Sequence, residues 1–466
     1  MPSFALDPPI AKGPGDVIAG DPSARGKDKL LLGSLAETGP RRQLWLDITG
    51  EQVVAILGKR GTGKSYTLGV IAEGLAAGPG ETPIAVHVTK RAGLVFDIMD
   101  IFWTSQIPLS AEGSAEIKKQ FSLLAKTSLK TQPLNVDVWI PAGYERPEID
   151  PSGLRSLQIG AGDLEIDDWG ALFDINMLVE PRGMLLTDLI GRVGVNGYTD
   201  RSGITVAAQP DFNFDQLLTC LDQDPTFAVN YNDNTIRSVR QRLETFRGLP
   251  LFQGSATDLT DLLKRERVSV LRLGRVPVEL KNVIVSVLLS RVLRQRSDAS
   301  FAQKRLDLQT NLSDAEKSLL QATIEHNVPR TWVLLDEAHV LAGADQGSVA
   351  RDAFIKYAKE GRNYGLSLAL ATQQPSALDS RLMSQVETLI VHQLTSPKDA
   401  AVALENVRSP VPGDIRVDGT KTSFDALLRQ LTPGVVTFSC GNAPNLPRVC
   451  VASVRPRISA HGGYEA

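Results

Sequence analysis

Apolar and polar positions along the first sixty residues predict short strands separated by turns. The segments KLLLGSL, RRQLWLDI and QVVAILG each hold a run of aliphatic residues bounded by glycine or charged residues. The third, at 52–57, runs into a glycine-rich loop. Residues 65–76 then repeat apolar positions at helical spacing and stop at Gly78-Pro79-Gly80. Another apolar strand is expected at 93–98, within GLVFDIMDIFW. Farther along, 268–273, 331–335, 366–372 and 388–393 are continuous apolar runs. Helical patterns at 278–296 and 348–362 alternate with them, with a polar linker at 297–313. Unbroken apolar strands alternating with helices are the mark of a parallel sheet buried on both faces.

The same pattern divides the chain. Residues 1–28 are rich in Pro, Gly, Asp and Ala without periodicity and read as a flexible arm, or as a strap over a neighbouring subunit. Residues 29–50 form a short β region, and 51–110 the first part of an α/β core. The mixed stretch 111–267 reads as a mostly helical insertion. It has one strand candidate at 136–140 and acidic loops such as DLEIDDW and DQDPTFAVNYNDN. The core resumes over 268–433, and 434–466 is an extension of strand-like pieces and Pro-rich turns.

Composition adds limits. With 466 residues, 42% hydrophobic and 22% charged, the chain is long enough for two or three units and a large core. The formal net charge of -3 leaves no global basic excess, so a nucleic-acid surface would have to be local. Cys220, Cys440 and Cys450 lack metal-ligand spacing and read as reduced, buried thiols of a reducing compartment. The N-terminus lacks the basic and apolar regions of a signal peptide, and no apolar run approaches a membrane span. A cytoplasmic protein without membrane contact is the expectation.

Four features carry chemistry. Gly58-Lys59-Arg60-Gly61-Thr62-Gly63-Lys64-Ser65 matches G-x-x-x-x-G-K-S between a strand and a helix. Its glycines let backbone N–H groups wrap a phosphate, and the helix N-terminus adds its positive dipole end. Lys64 is expected to reach the β- and γ-phosphates and Ser65 to ligate Mg²⁺. The loop and Tyr66 after it form the expected nucleotide cradle. In WVLLDEAH a buried strand ends in two carboxylates: Asp336 for the Mg²⁺ water shell and Glu337 to polarise the attacking water. Gln373, at the end of the strand in LSLALATQQ, is expected beside the γ-phosphate, where ligands bind open parallel sheets. Arg362, in EGRNYG, reads either as a capping arginine at a helix C-terminus or as an arginine finger for a neighbouring subunit. The fold class that follows is α/β, a RecA-like P-loop NTPase core of the additional-strand, catalytic-glutamate kind, with ATP and Mg²⁺ as cofactors. Two basic runs, Arg291–Arg294–Arg296–Lys304–Arg305 and Arg237–Arg240–Arg242–Arg247, read as solvated helix faces or as DNA-phosphate contacts.

Taken in order, ILGKRGTGKSYTLGVIAEGL, LVFDIMDIFW, VSVLRLGRVP, VLLDEAH, EGRNYGLSLALATQQPSALDSRLMSQVETLIVHQL and the closing TPGVVTFSCGNAPNLPRVCVASVRPRISAHGG resemble the HerA/FtsK superfamily, specifically the HerA-like ATPases. The resemblance implies a homohexameric ring with ATP sites between subunits, translocation on double-stranded DNA, and Arg362 as the finger acting in trans. Most members carry a β-barrel domain before the P-loop. Here 57 residues precede Gly58, so a small β-sheet or a reduced barrel at 29–50 is the most expected. The functional expectation is an ATP-dependent double-stranded DNA translocase or helicase, working with a nuclease or effector in DNA end processing or anti-phage defence. The alternative is a ring-shaped ATP-binding scaffold that activates a partner effector enzyme.

Overall fold

The computed structural model describes residues 2–7, 10, 15–20, 27–38, 42–78, 83–87, 89–344, 347–441, 446 and 448–463. Among them, eight parallel strands form the centre: β1 (Val53–Leu57), β2 (Ala92–Asp97), β3 (Val136–Pro141), β4 (Arg155–Leu157), β5 (Arg267–Arg272), β6 (Thr331–Leu335), β7 (Leu366–Thr372) and β8 (Thr388–Val391). They lie in the order β8-β1-β7-β6-β2-β5-β3-β4. Every residue of β1, β6 and β7 is buried, as continuous apolar runs require.

Alternate residues of each strand serve two cores. Val54, Ile56, Leu334 and Ala369 pack with Leu68, Ile71 and Leu75 of helix α1 (Lys64–Ala76). Val53, Leu57, Val333 and Leu368 pack with Ile284 and Leu288 of helix Val278–Leu308 and with Phe354 of helix Val349–Glu360. Helices on both faces leave the C-terminal ends of the strands as the open edge where ligands bind.

Beyond β8 the sheet turns antiparallel. Val435–Cys440 pairs with β8, then Cys450–Val454, Lys29–Leu35 and Gln43–Asp47 follow, and Val17–Ala19 closes the edge by pairing parallel to Gln43–Asp47. Among the described residues the strands of 29–50, expected as a small β-sheet or a reduced barrel, extend the main sheet. The flexible arm expected at 1–28 is corrected where it is described. Phe4–Asp7 pairs antiparallel with Asp414–Val417, burying Phe4 and Leu6 against the core. The strap thus lies on this chain's own body; residues 8–9, 11–14 and 21–26 lie outside the described residues, as do Pro79 and Gly80 of the predicted helix stop.

Two further expectations shift. Residues 297–313 are not a linker through most of their length: one helix runs Val278–Leu308. Ala, Gln, Lys and Arg favour helix, and Ala299 and Ala302 are buried against neighbouring helices, which outweighs the polar composition. The stretch 111–267 holds helices and a strand at 136–140 as expected, but it also contributes β4, and both strands join the main sheet. Among the described residues no helix is long and apolar enough to cross a membrane.

Candidate nucleotide site

The phosphate loop is fixed by backbone bonds to neighbouring strand ends. Gly58 N–H donates to Thr372 O at 3.3 Å, and Lys59 N–H to Gln393 O at 2.9 Å. Gly63 caps α1 with φ 106°, a left-handed conformation that a side chain would strain. Thr62 Oγ1 and Lys64 Nζ both donate to Lys59 O, at 2.8 and 3.0 Å. Burial pulls the Lys64 ammonium's pKa down, while the charges of Glu337 and Asp336 pull it up; the net shift is downward.

The two carboxylates stand opposite. Asp336 is fully buried at the end of β6, facing the Ser65 hydroxyl. Burial, with Glu337 adding to it, pushes its pKa up to about 6, and a bound cation would favour its charged form. Among the described residues Asp336 Oδ2 is buried without a hydrogen-bond partner. A hydroxyl and a lone carboxylate oxygen are hard oxygen donors that suit Mg²⁺ with its retained waters. Glu337 follows with φ 48° and ψ 50°, an αL conformation costing about 1–2 kcal/mol for a residue with a Cβ. That turn aims its carboxylate at the P-loop side, where Gln373 Nε2 donates to Glu337 Oε1. His339 Nδ1 lies 3.4 Å from Glu337 Oε2, and burial lowers its pKa, so it stands as a neutral neighbour.

These groups share one cleft of about 1390 Å³, lined by Arg60 through Tyr66, Glu337 and Gln373. Gly58, Lys59 and Asp336 lie behind its wall. Arg362 is elsewhere. It sits in the turn before β7, whose seven residues separate it by about 20 Å from Gln373 at the other end. Its side chain is 65% exposed and pairs with Glu387 at 2.6 Å. Arg296 Nε donates to Tyr364 O at 2.9 Å and Ser300 Oγ to Asn363 O at 3.3 Å, so the long helix holds this turn. Gly365, with φ 82°, leaves no room for a Cβ, which would meet Arg330 Cγ at 2.7 Å. Arg362 is thus displayed outward, away from its own phosphate loop.

Most arginines of the two basic runs are engaged within the chain, while Lys304 and Arg237 are exposed. Arg291 pairs with Asp163, Arg294 with Glu165 and Arg305 with Glu316, and Arg296 is spent on backbone carbonyls. In the other run Arg240 pairs with Asp222 and Arg247 with Asp215, and Arg242 donates to Phe173 O.

Three further groups stand near the site, of which only Asp97 ends an apolar run that the sequence marks as a strand. His392, buried at the end of β8, meets Thr67 Oγ1 at 2.9 Å beneath the loop. Burial and then Lys64 drive its pKa down to about 3, so it stays neutral. Asp97, at the end of β2, accepts from Ile101 N–H and Phe102 N–H, at 3.0 and 2.8 Å; burial pushes it up to about 7. Glu73 of α1 is fully buried and accepts from Arg455 Nη1 at 2.8 Å, Arg457 Nε at 3.1 Å and Ser459 Oγ at 2.6 Å. Burial alone would raise its pKa, but Arg455 and Arg457 outweigh it and the carboxyl lies below the usual range. Removing one partner of such a buried set costs about 3–5 kcal/mol. The C-terminal segment is therefore locked onto the P-loop helix, and Tyr66 and His461 meet edge to face across the lock, with centroids 5.2 Å apart.

Comparison with known proteins bears on this site. The family described as helicase HerA, central domain, matches residues 32–292. The DNA double-strand break repair helicase HerA of Pyrococcus furiosus is 25% identical over 181 residues, covering 35% of this chain and 33% of that protein. Its counterpart from Sulfurisphaera tokodaii is 25% identical over 173 residues, covering 37% of this chain and 30% of its own. The matched part is thus about a third of the length of these curated relatives. Among solved structures, VirB4 of Thermoanaerobacter pseudethanolicus aligns over 91% of this chain and 96% of its own at 14% identity and TM-score 0.49. The plasmid coupling protein TrwB in complex with ADP and Mg²⁺ aligns over 88% and 86% at 14% identity and TM-score 0.45.

Proposed function

The chain belongs to the family of the HerA helicase central domain, and from that premise we propose that it is an ATPase motor that translocates double-stranded DNA as a homohexameric ring. The observation that carries the reading is the single cleft in which Lys64 and Ser65 face Glu337, with Gln373 bonded to that carboxylate. Each residue has a task that its position supports. The loop amides and α1 dipole hold the phosphates, and Lys64 neutralises them. Ser65 and Asp336 would hold Mg²⁺, which would supply charge neutralisation of the phosphates when bound. Glu337 orients and polarises the attacking water. Gln373 donates to Glu337 and can exchange that acceptor for a γ-phosphate oxygen, so the water-polarising group and the phosphate compete for one amide.

Arg362 points away from its own cleft, and a heterologous contact with the next subunit would bring it to a neighbour's γ-phosphate. Mixing two inactive variants tests this. Arg362→Ala and Lys64→Ala are each expected to be inactive. Mixed in equal amounts, about a quarter of head-to-tail interfaces would join an intact Lys64 to an intact Arg362, and ATPase activity returns. No recovery, with mixed rings verified by native mass, contradicts a role in trans.

The work we assign to the motor is DNA end processing or anti-phage defence beside a nuclease or effector. One observation favours a second reading, a ring scaffold that switches on a partner enzyme: the arginines of both basic runs are largely engaged within the chain. DNA-stimulated turnover separates the two.

A further inference from the structure

We infer that the antiparallel strands beside the phosphate loop form the nucleoside half of the cleft, with Gln43 reading the base of ATP and Ser34 and Ser453 its ribose. The inference rests on the reading of the cleft as an ATP site. Gly434 N–H donates to Thr62 O at 3.4 Å, so strand Val435–Cys440 begins directly against the loop. From there the register runs across three further strands: Val435 opposite Ser453, Ser453 opposite Ser34, Ser34 opposite Gln43. Residues directly opposed across antiparallel strands share a face. The two serines and the glutamine therefore stand in one row, each step about 4.8 Å from the last.

The row belongs to the site. Ser453, Ser34 and Gln43 line the same cleft as Lys64 and Glu337, and each is half-buried. Among the described residues no side-chain hydrogen bond is made by any of the three. Their direction also fits. The γ-phosphate end is set by Glu337 and Gln373, which follow β6 and β7 on one side of β1; the row lies on the opposite side, beyond β8. A nucleotide with its phosphates on the loop extends from the first group toward the second. The cleft of about 1390 Å³ is larger than the roughly 300–1,000 Å³ of a usual ligand site, so it has room beyond a triphosphate.

The chemistry of the row selects the ligand. A carboxamide offers donors and an acceptor side by side. Adenine presents an amino donor next to the N7 acceptor, which a carboxamide matches with two bonds, whereas guanine presents two acceptors there. Serine hydroxyls both donate and accept, as the ribose hydroxyls do.

Calorimetric titration of the full chain with non-hydrolysable ATP, GTP and dATP analogues tests the assignment. The unchanged protein is expected to prefer the ATP analogue over the GTP analogue by tenfold or more. Gln43→Ala brings that ratio near unity, and Ser34→Ala with Ser453→Ala narrows the preference for ATP over dATP. Lys64→Ala weakens all three analogues together. If Lys64→Ala leaves every affinity unchanged, the ATP-site reading itself fails. If Lys64→Ala weakens binding while Gln43→Ala keeps the ATP-to-GTP ratio, or if the unchanged protein has no base preference, the base-reading role of Gln43 alone is overturned.

Discussion

Glu337→Gln is expected to bind ATP as tightly as the unchanged protein and to hydrolyse it about 10² to 10⁴ times more slowly, the usual contribution of a positioned general base. The substitution keeps the shape of the side chain and its αL backbone. A carboxamide oxygen still accepts from Gln373 Nε2, so the wall of the cleft survives. What is lost is the charge that polarises water, a group that works only in the transition state. Such a change lowers kcat and leaves ground-state binding alone. The variant should therefore trap an ATP-bound ring, read by filter binding of labelled ATP beside a phosphate-release assay. Hydrolysis at the unchanged rate would move the catalytic carboxylate away from Glu337.

Lys64→Ala is expected to fail earlier, at binding. Its ammonium is nearly fully buried between the loop carbonyl of Lys59 and the carboxylates of Asp336 and Glu337. Removal leaves two acids and a triphosphate facing one another without that cation. A charge-assisted hydrogen bond contributes about 1.5–3 kcal/mol, so affinity for ATP should fall roughly 10- to 100-fold, and turnover should fall below detection. Titration calorimetry and the same phosphate-release assay separate this outcome from that of Glu337→Gln. Turnover within tenfold of the unchanged protein would contradict the placement of the phosphates on this loop.

What could be read from the sequence follows contact distance along the chain. The phosphate loop is eight consecutive residues between a strand and a helix, and the pair Asp336-Glu337 ends one apolar strand. Both are local patterns, and residues 60–65 of the loop line one cleft with Glu337, while Asp336 is buried beside it. The parallel core was legible for the same reason, since β1, β6 and β7 are unbroken apolar runs. The Glu73 lock was not, because its arginines lie 382 and 384 residues away. The row Gln43, Ser34 and Ser453 depends on strand register, which single polar residues in short strands do not announce. The segment 297–308 misled in the other direction: its charged residues hide a helix whose few buried alanines are enough to dock it. The N-terminal strands escaped notice because four-residue and three-residue strands carry almost no periodicity. Arg362 was legible as a residue but not as a location; only the fold places it at the edge opposite its own phosphate loop.

We propose that ATP hydrolysis in this cleft drives a ring along duplex DNA. The most direct test is the ATPase rate against added linear duplex DNA at low and moderate salt, with assembly mass measured in parallel. A hexamer is expected whose turnover rises strongly with duplex and loses that stimulation as salt screens the phosphate contacts. A hexamer whose turnover ignores DNA at both salt concentrations would contradict the motor and leave the scaffold reading in its place.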